Sequence, residues 1–182
     1  AAFPQLHLDK VLDLTLEQKV EIEMNIRKAV EKIRDFQLND GGLSYWPSYY
    51  SRYNEWGTNY AGHFMLEAEA AGYTLPIGFK KNWIRIQTSL ANRWSNTKER
   101  YQNWYRSNQL TQAYRLYTLA LAGNPAMGAM NRLREIGNLT TAARWRLAAA
   151  YHLAGRTKVA SQIVKGIPLR LKEYREMSYT YG

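Results

Sequence analysis

Seven segments of this chain carry the apolar spacing of an α-helix, and they alternate between two kinds. In residues 15–38 the apolar positions Ile22, Ile26, Ala29, Ile33 and Phe36 follow the spacing of one helical face. Glu17, Glu21, Lys28, Glu31, Lys32 and Asp35 cover the remainder of that helix. Residues 55–72 are apolar on nearly every side, through Tyr60, Ala61, Phe64, Met65, Leu66, Ala68, Ala70 and Ala71. The next segment, 78–94, is one-sided again, with Phe79, Trp83, Ile86, Leu90 and Trp94 on its stripe. The alternation continues through 110–122 (all round), 126–136 (one-sided), 140–154 (all round) and a last one-sided helix marked by Val159, Ala160 and Ile163. A helix apolar on most sides has to be covered on most sides, so the all-round helices form an inner layer and the one-sided helices an outer one. The predicted fold is therefore all-α, a two-layer array of α-hairpins, as either an open solenoid or part of a closed α/α ring.

A repeat supports this arrangement. LAGNPAMGAM at 121–130 echoes LAGRTKVASQ at 153–162, an offset of 32 residues. Thr15 with Gln18 three residues on predicts a capping box. Gly41 and Gly42 end the first long helix, and positive φ is expected there. Residues 1–14 read as an approach segment anchored by Leu6, Leu8, Val11 and Leu12. The tail RLKEYREMSYTYG carries no assignable pattern.

The chain of 182 residues supports one sizeable core. Its formal charge of +10 invites a nucleic-acid partner, but Lys and Arg are scattered over successive polar faces and never run five together. No nucleic-acid partner is expected. No apolar run reaches the roughly 20 residues that span a bilayer. The start Ala1-Ala2-Phe3-Pro4-Gln5 lacks the charged and apolar regions of a signal peptide. There is no cysteine, hence no disulfide, thiol nucleophile or thiolate metal site, and the redox compartment is left open.

Chemistry is sparse. His63 shares a helical stripe with Asn59 and Glu67 at i, i+4, i+8 spacing, which reads as a hydrogen-bonded polar stripe rather than a metal or acid–base site. Asp40, Glu55 and Glu67 are acids around one loop, too common a pattern to indicate glycoside hydrolysis. No catalytic, metal-binding or cofactor-binding residue is assigned, no cofactor is expected, and the chain is expected to perform no covalent chemistry. The candidate contact residues are Tyr45, Trp46, Tyr49, Tyr50, Tyr53 and Trp56. Two readings of them stand side by side: a wedge of core beneath a long loop, or a platform on which sugar rings or a partner protein stack.

The stretch FQLNDGGLSYWPSYYSRYNEWGTNYAGHFMLEAEAAGYTLP resembles the thioester domain of bacterial α2-macroglobulins. The matching positions are Gly41, Gly42, Tyr45, Trp46, Pro47, Trp56, His63, Phe64, Glu67, Ala68, Gly72, Tyr73 and Pro76. AAFPQLHL resembles the segment that follows the family's Cys-x-Glu-Gln thioester, and AYRLYTLALAGNPAMGAMNRL and MSYTYG also resemble family segments. The resemblance implies that residues 1–182 are a partial domain, roughly half of an α/α toroid, without the reactive bond. It implies a scaffold role in a protease-trapping endopeptidase inhibitor. The implied location is the periplasm or cell surface, and the implied partners are the parent's other domains and, through the parent, target proteases and any membrane tether. In some relatives a histidine in a loop downstream assists acyl transfer; residues 93–107 hold none. The alternative function is a carbohydrate-active or sugar-binding α/α-ring protein that uses the aromatic loop 45–56.

Overall fold

The structure is a computed structural model that describes residues 2–47, 52–96 and 109–168. Among these residues it is all-α, with eight α-helices and no strand; the nearest approach to β-structure is a single antiparallel bridge between Gln37 and Leu43. A short helix, α1 (Ala2–Gln5), opens the chain, and a 3-10 turn follows at Leu8–Lys10. Then come α2 (Leu16–Ile33), a second 3-10 turn at Arg34–Phe36, α3 (Glu55–Ala70) and α4 (Phe79–Arg93). The rest is α5 (Gln109–Leu121), α6 (Met127–Arg134), α7 (Thr141–Leu153) and α8 (Thr157–Val164).

The start of α2 follows from its sequence. Thr15 accepts from the Gln18 backbone N–H while the Gln18 side chain accepts from the Thr15 N–H, so two orphan donors are satisfied. Thr140 caps α7 through the N–H of Ala143, and Asn54 caps α3 through that of Gly57. The repeat also has a physical basis. Gly123 and Gly155 both take left-handed φ, 76° and 74°. In each case the following residue, Asn124 or Arg156, donates to a carbonyl five residues back, Leu119 or Tyr151. These are matched Schellman stops after α5 and α7.

The three helices that are apolar all round touch in order: α3 packs on α5, and α5 on α7. Against them lie α2, α4, α6 and α8, with α4 also touching α6. The core falls into two clusters. One centres on Ile26, Val30, Phe64, Met65 and Trp83; the other on Leu116, Leu119, Met130, Leu133, Leu147 and Tyr151. Ile84 packs against both.

Several expectations change. Val11 and Leu12 are exposed, and the N-terminal segment is anchored instead by Phe3, whose ring lies 5.8 Å from that of Phe64 and 5.3 Å from that of Tyr60. Trp145 and Leu153, assigned to an all-round buried helix, are each 43% exposed because nothing described packs on that side of α7. Tyr49, Tyr50, the connection containing Tyr101, Trp104 and Tyr105, and the tail segment MSYTYG lie outside the described residues.

Candidate functional site

The loop after α2 reverses the expected roles of its glycines and its aromatics. Gly41, Gly42, Leu43 and Ser44 are buried, whereas Tyr45 and Trp46 are exposed, Trp46 at 77%. Gly41 holds φ 96°, and a Cβ there would run into the backbone carbonyl of Asn82. Gly42 has no positive φ; its constraint is steric, since a Cβ would overlap Tyr53. Backbone bonds fix the loop: Gly41 N–H donates to the Leu38 carbonyl, Leu38 N–H to that of Gly42, and Asn54 N–H to that of Leu43. The Thr58 hydroxyl accepts from Leu43 N–H at 2.8 Å and binds its carbonyl. The base of the loop is thus core, and the core reading fails for Tyr45 and Trp46. Tyr53 is half-buried, and Trp56 is exposed at one edge while its ring contacts Tyr114 at 5.4 Å.

Beneath this loop the indole of Trp83 lies across α3. It donates to the Thr58 carbonyl at 2.8 Å, and it fits only because Gly62 presents no side chain. Next to it runs a buried polar network unseen in the sequence. Arg115, 1% exposed in the middle of apolar α5, donates to Gln87 Oε1 (3.0 Å), Gln112 Oε1 (2.7 Å) and Glu55 Oε2 (2.7 Å). Thr118 donates to Asn59 Oδ1 at 2.6 Å, and Gln112 Nε2 to the Ala91 carbonyl. Burial lowers the Arg115 pKa, with Glu55 opposing; starting from 12.5, the guanidinium keeps its charge because a buried charge so fully paired is sustained. One arginine therefore ties α3, α4 and α5 together. Its signal was legible: a lone Arg inside YRLYTLALA has to find a carboxylate or a set of carbonyl oxygens.

The expected stripe of Asn59, His63 and Glu67 divides. Asn59 turns inward to that network, while His63 and Glu67 face an aromatic belt on the side of α3 and α5 nearer α7. His63 Nδ1 lies 2.9 Å from the Tyr114 hydroxyl, and Nε2 lies 3.5 Å from Glu67 Oε1. With Nε2 protonated toward Glu67, Nδ1 accepts from Tyr114, giving the chain Tyr114–His63–Glu67. Rings surround it: Phe3 edge-on at 4.9 Å, Tyr117 at 5.5 Å, and Trp56 beyond Tyr114. From α7, the Arg146 guanidinium covers Tyr114 at 4.7 Å and Tyr117 at 5.6 Å. Burial pushes the His63 pKa down, with Arg146 adding to the effect and Glu67 opposing it. Burial pushes Tyr114 up to about 12, against the pull of Arg146. At neutral pH this is a neutral, hydrogen-bonded relay bearing a cation on its outer edge.

Of the six contact residues expected from sequence, the structure places Trp56 in this belt, Tyr45 and Trp46 on the neighbouring surface, and Tyr53 between them. Tyr114, Tyr117 and Arg146 were missed. The i, i+3 spacing of the two tyrosines marked a shared stripe, but their convergence with Arg146 depends on how α5 and α7 pack. Glu55 and Glu67 serve Arg115 and His63, and do not face each other as a carboxylate pair. Among the described residues, no group of three or more His, Cys, Asp or Glu side chains could hold a metal ion. Compared with models of known families, with curated proteins and with solved structures, the chain matches none.

Proposed function

We propose that this chain is the scaffold portion of a thioester-type α/α-toroid domain in a bacterial α2-macroglobulin-like protease trap. The carrying observation is the loop 40–47 with the helix that follows it. The residues that make the resemblance are those the local packing requires: Gly41 for φ and its approach to Asn82, Gly42 for its approach to Tyr53, and Gly72, with φ 94°, to stop α3. The family-like opening segment packs Phe3 edge-on against His63, itself one of the matching positions. The order of helix contacts suits a two-layer array that continues as part of a ring. In this reading the domain holds the segment upstream of Ala2 against α3 and α5, and a protease cut elsewhere in the parent releases it. The location is the periplasm or cell surface, and the partners are the parent's other domains and the trapped protease.

The test is intact mass. The 182-residue chain should gain no adduct from methylamine or from a protease, since a thioester needs a cysteine sulfur and the sequence has none. A chain extended upstream through a Cys-x-Glu-Gln segment, with the remaining helices restored, should become methylamine-sensitive. A stable adduct on the 182 residues alone overturns the scaffold role.

A second reading is favoured by the exposure of Tyr45, Trp46 and Trp56. Exposed rings at a loop and helix edge suit stacking of sugar faces in a carbohydrate-binding α/α-ring protein. Oligosaccharide titration monitored by tryptophan fluorescence should then saturate, and lose its response in Trp46→Ala and Trp56→Ala. A flat titration removes this reading.

A further inference from the structure

Two exposed apolar stripes lie on different helices and mirror each other in spacing and charge. On α2, Leu16, Val20 and Met24 stand at i, i+4, i+8 and are all exposed, on the side opposite the buried Ile26 and Val30. Val11 and Leu12 extend the patch. Acidic groups surround it: within residues 9–24, Asp9, Asp13, Glu17, Glu21 and Glu23 outnumber Lys10 and Lys19, in a chain whose net charge is +10. On α7, Trp145, Ala149 and Leu153 repeat the i, i+4, i+8 spacing, with Trp145 and Leu153 uncovered. Both stripes are about 12 Å long at 1.5 Å per residue. The surroundings of the second are basic. Residues 136–168 contain no acidic side chain, and Arg146, Arg156 and Lys158 are exposed near the stripe together with His152.

We propose that the α2 stripe of one chain docks on the α7 stripe of a second copy. Apolar side chains then leave water on both helices, and Glu17 and Glu21 meet the arginines that frame Trp145 and Leu153. Neither stripe can use its own twin: α2 on α2 sets acids against acids, and α7 on α7 sets arginines against arginines. The contact is heterologous, so each bound copy leaves one free stripe at either end and association proceeds head to tail. This goes beyond the scaffold role and does not depend on it.

Sedimentation or light scattering of three proteins tests the contact: the wild type, Val20→Gln/Met24→Gln on α2, and Trp145→Gln/Leu153→Gln on α7. All four positions are exposed, so equal helical circular dichroism should confirm equal folding. The wild-type mass should climb above 21.2 kDa with concentration, and fall back as salt rises from about 0.05 M to about 0.5 M. Each variant alone should stay at the single-chain mass. A one-to-one mixture of the two variants should reach about twice that mass and stop there, because each retains only the stripe the other needs. A wild type that stays monomeric at every concentration overturns the proposal and assigns the stripes to a different chain or to residues beyond 168. Association of the α7 variant alone, or of the α2 variant alone, overturns it in favour of like-on-like docking.

Discussion

Gly62 and Trp46 show how little a residue's type says about its burial. Gly62 is the point where α3 admits the Trp83 indole, and an added methyl would overlap that ring. Gly62→Ala should therefore cost about 2–3 kcal/mol in urea unfolding, an overpacking penalty. Gly41→Ala should cost at least as much, since left-handed φ and a backbone clash coincide there. Gly155→Ala meets no atom within 4 Å, so only its φ is strained and about 1 kcal/mol is expected. Trp46→Ala should change stability by less than about 0.5 kcal/mol, because most of the ring is already in water. Equal costs for Gly62→Ala and Gly155→Ala would contradict the close approach of Trp83 to α3. His63 makes a different prediction. Its folded-state pKa lies below 6.5, so as pH falls through 6.5 the unfolded chain takes up a proton before the folded one does. Stability contributed by neutral His63 is complete above that pH and declines below it. His63→Gln should flatten the stability curve between about pH 7 and 5, and an unchanged slope would place the acid sensitivity elsewhere.

Element packing turns on Arg115. It is the only described charge buried to this degree, and it sits where α3, α4 and α5 meet. Arg115→Met fills a similar volume but leaves Gln87 Oε1 and Gln112 Oε1 without a donor, so a loss of about 2–4 kcal/mol is expected in chemical unfolding. A neutral result would mean that the network sets helix register without contributing net stability. The helix boundaries themselves were largely legible, because caps and stops are local chemistry: Thr15 with Gln18, Thr140, Gly123 and Gly155 each act within five residues. The first long helix ends earlier than its apolar spacing predicts. Ile33 closes α2, and Arg34–Phe36 tighten into a 3-10 turn that feeds the buried glycine loop.

Across the whole molecule, burial is concentrated in the middle of the row. Nine of the thirteen residues of α5 are buried, against two of eighteen in α2 and one of eight in α8. Amide hydrogen exchange should follow that order, slowest in α5 and fastest in α2 and α8. Uniform protection across all of them would indicate one cooperative unit with no weaker edges. The same distribution accounts for the uncovered side of α7: it has α5 on one flank and no described helix on the other.

Sequence alone determined the helical class, the alternation of all-round and one-sided helices, and the local stops, because each depends on residues within a turn or two of one another. Tertiary structure alone decided which rings of the aromatic loop are wet, that Tyr114 and Arg146 converge on His63, and that Glu55 answers Arg115. Those facts join residues tens of positions apart, such as Glu55 with Arg115 and His63 with Tyr114. Helical periodicity says which side of a helix is apolar, but the neighbour that a polar group on that side finally meets is chosen by how the helices pack.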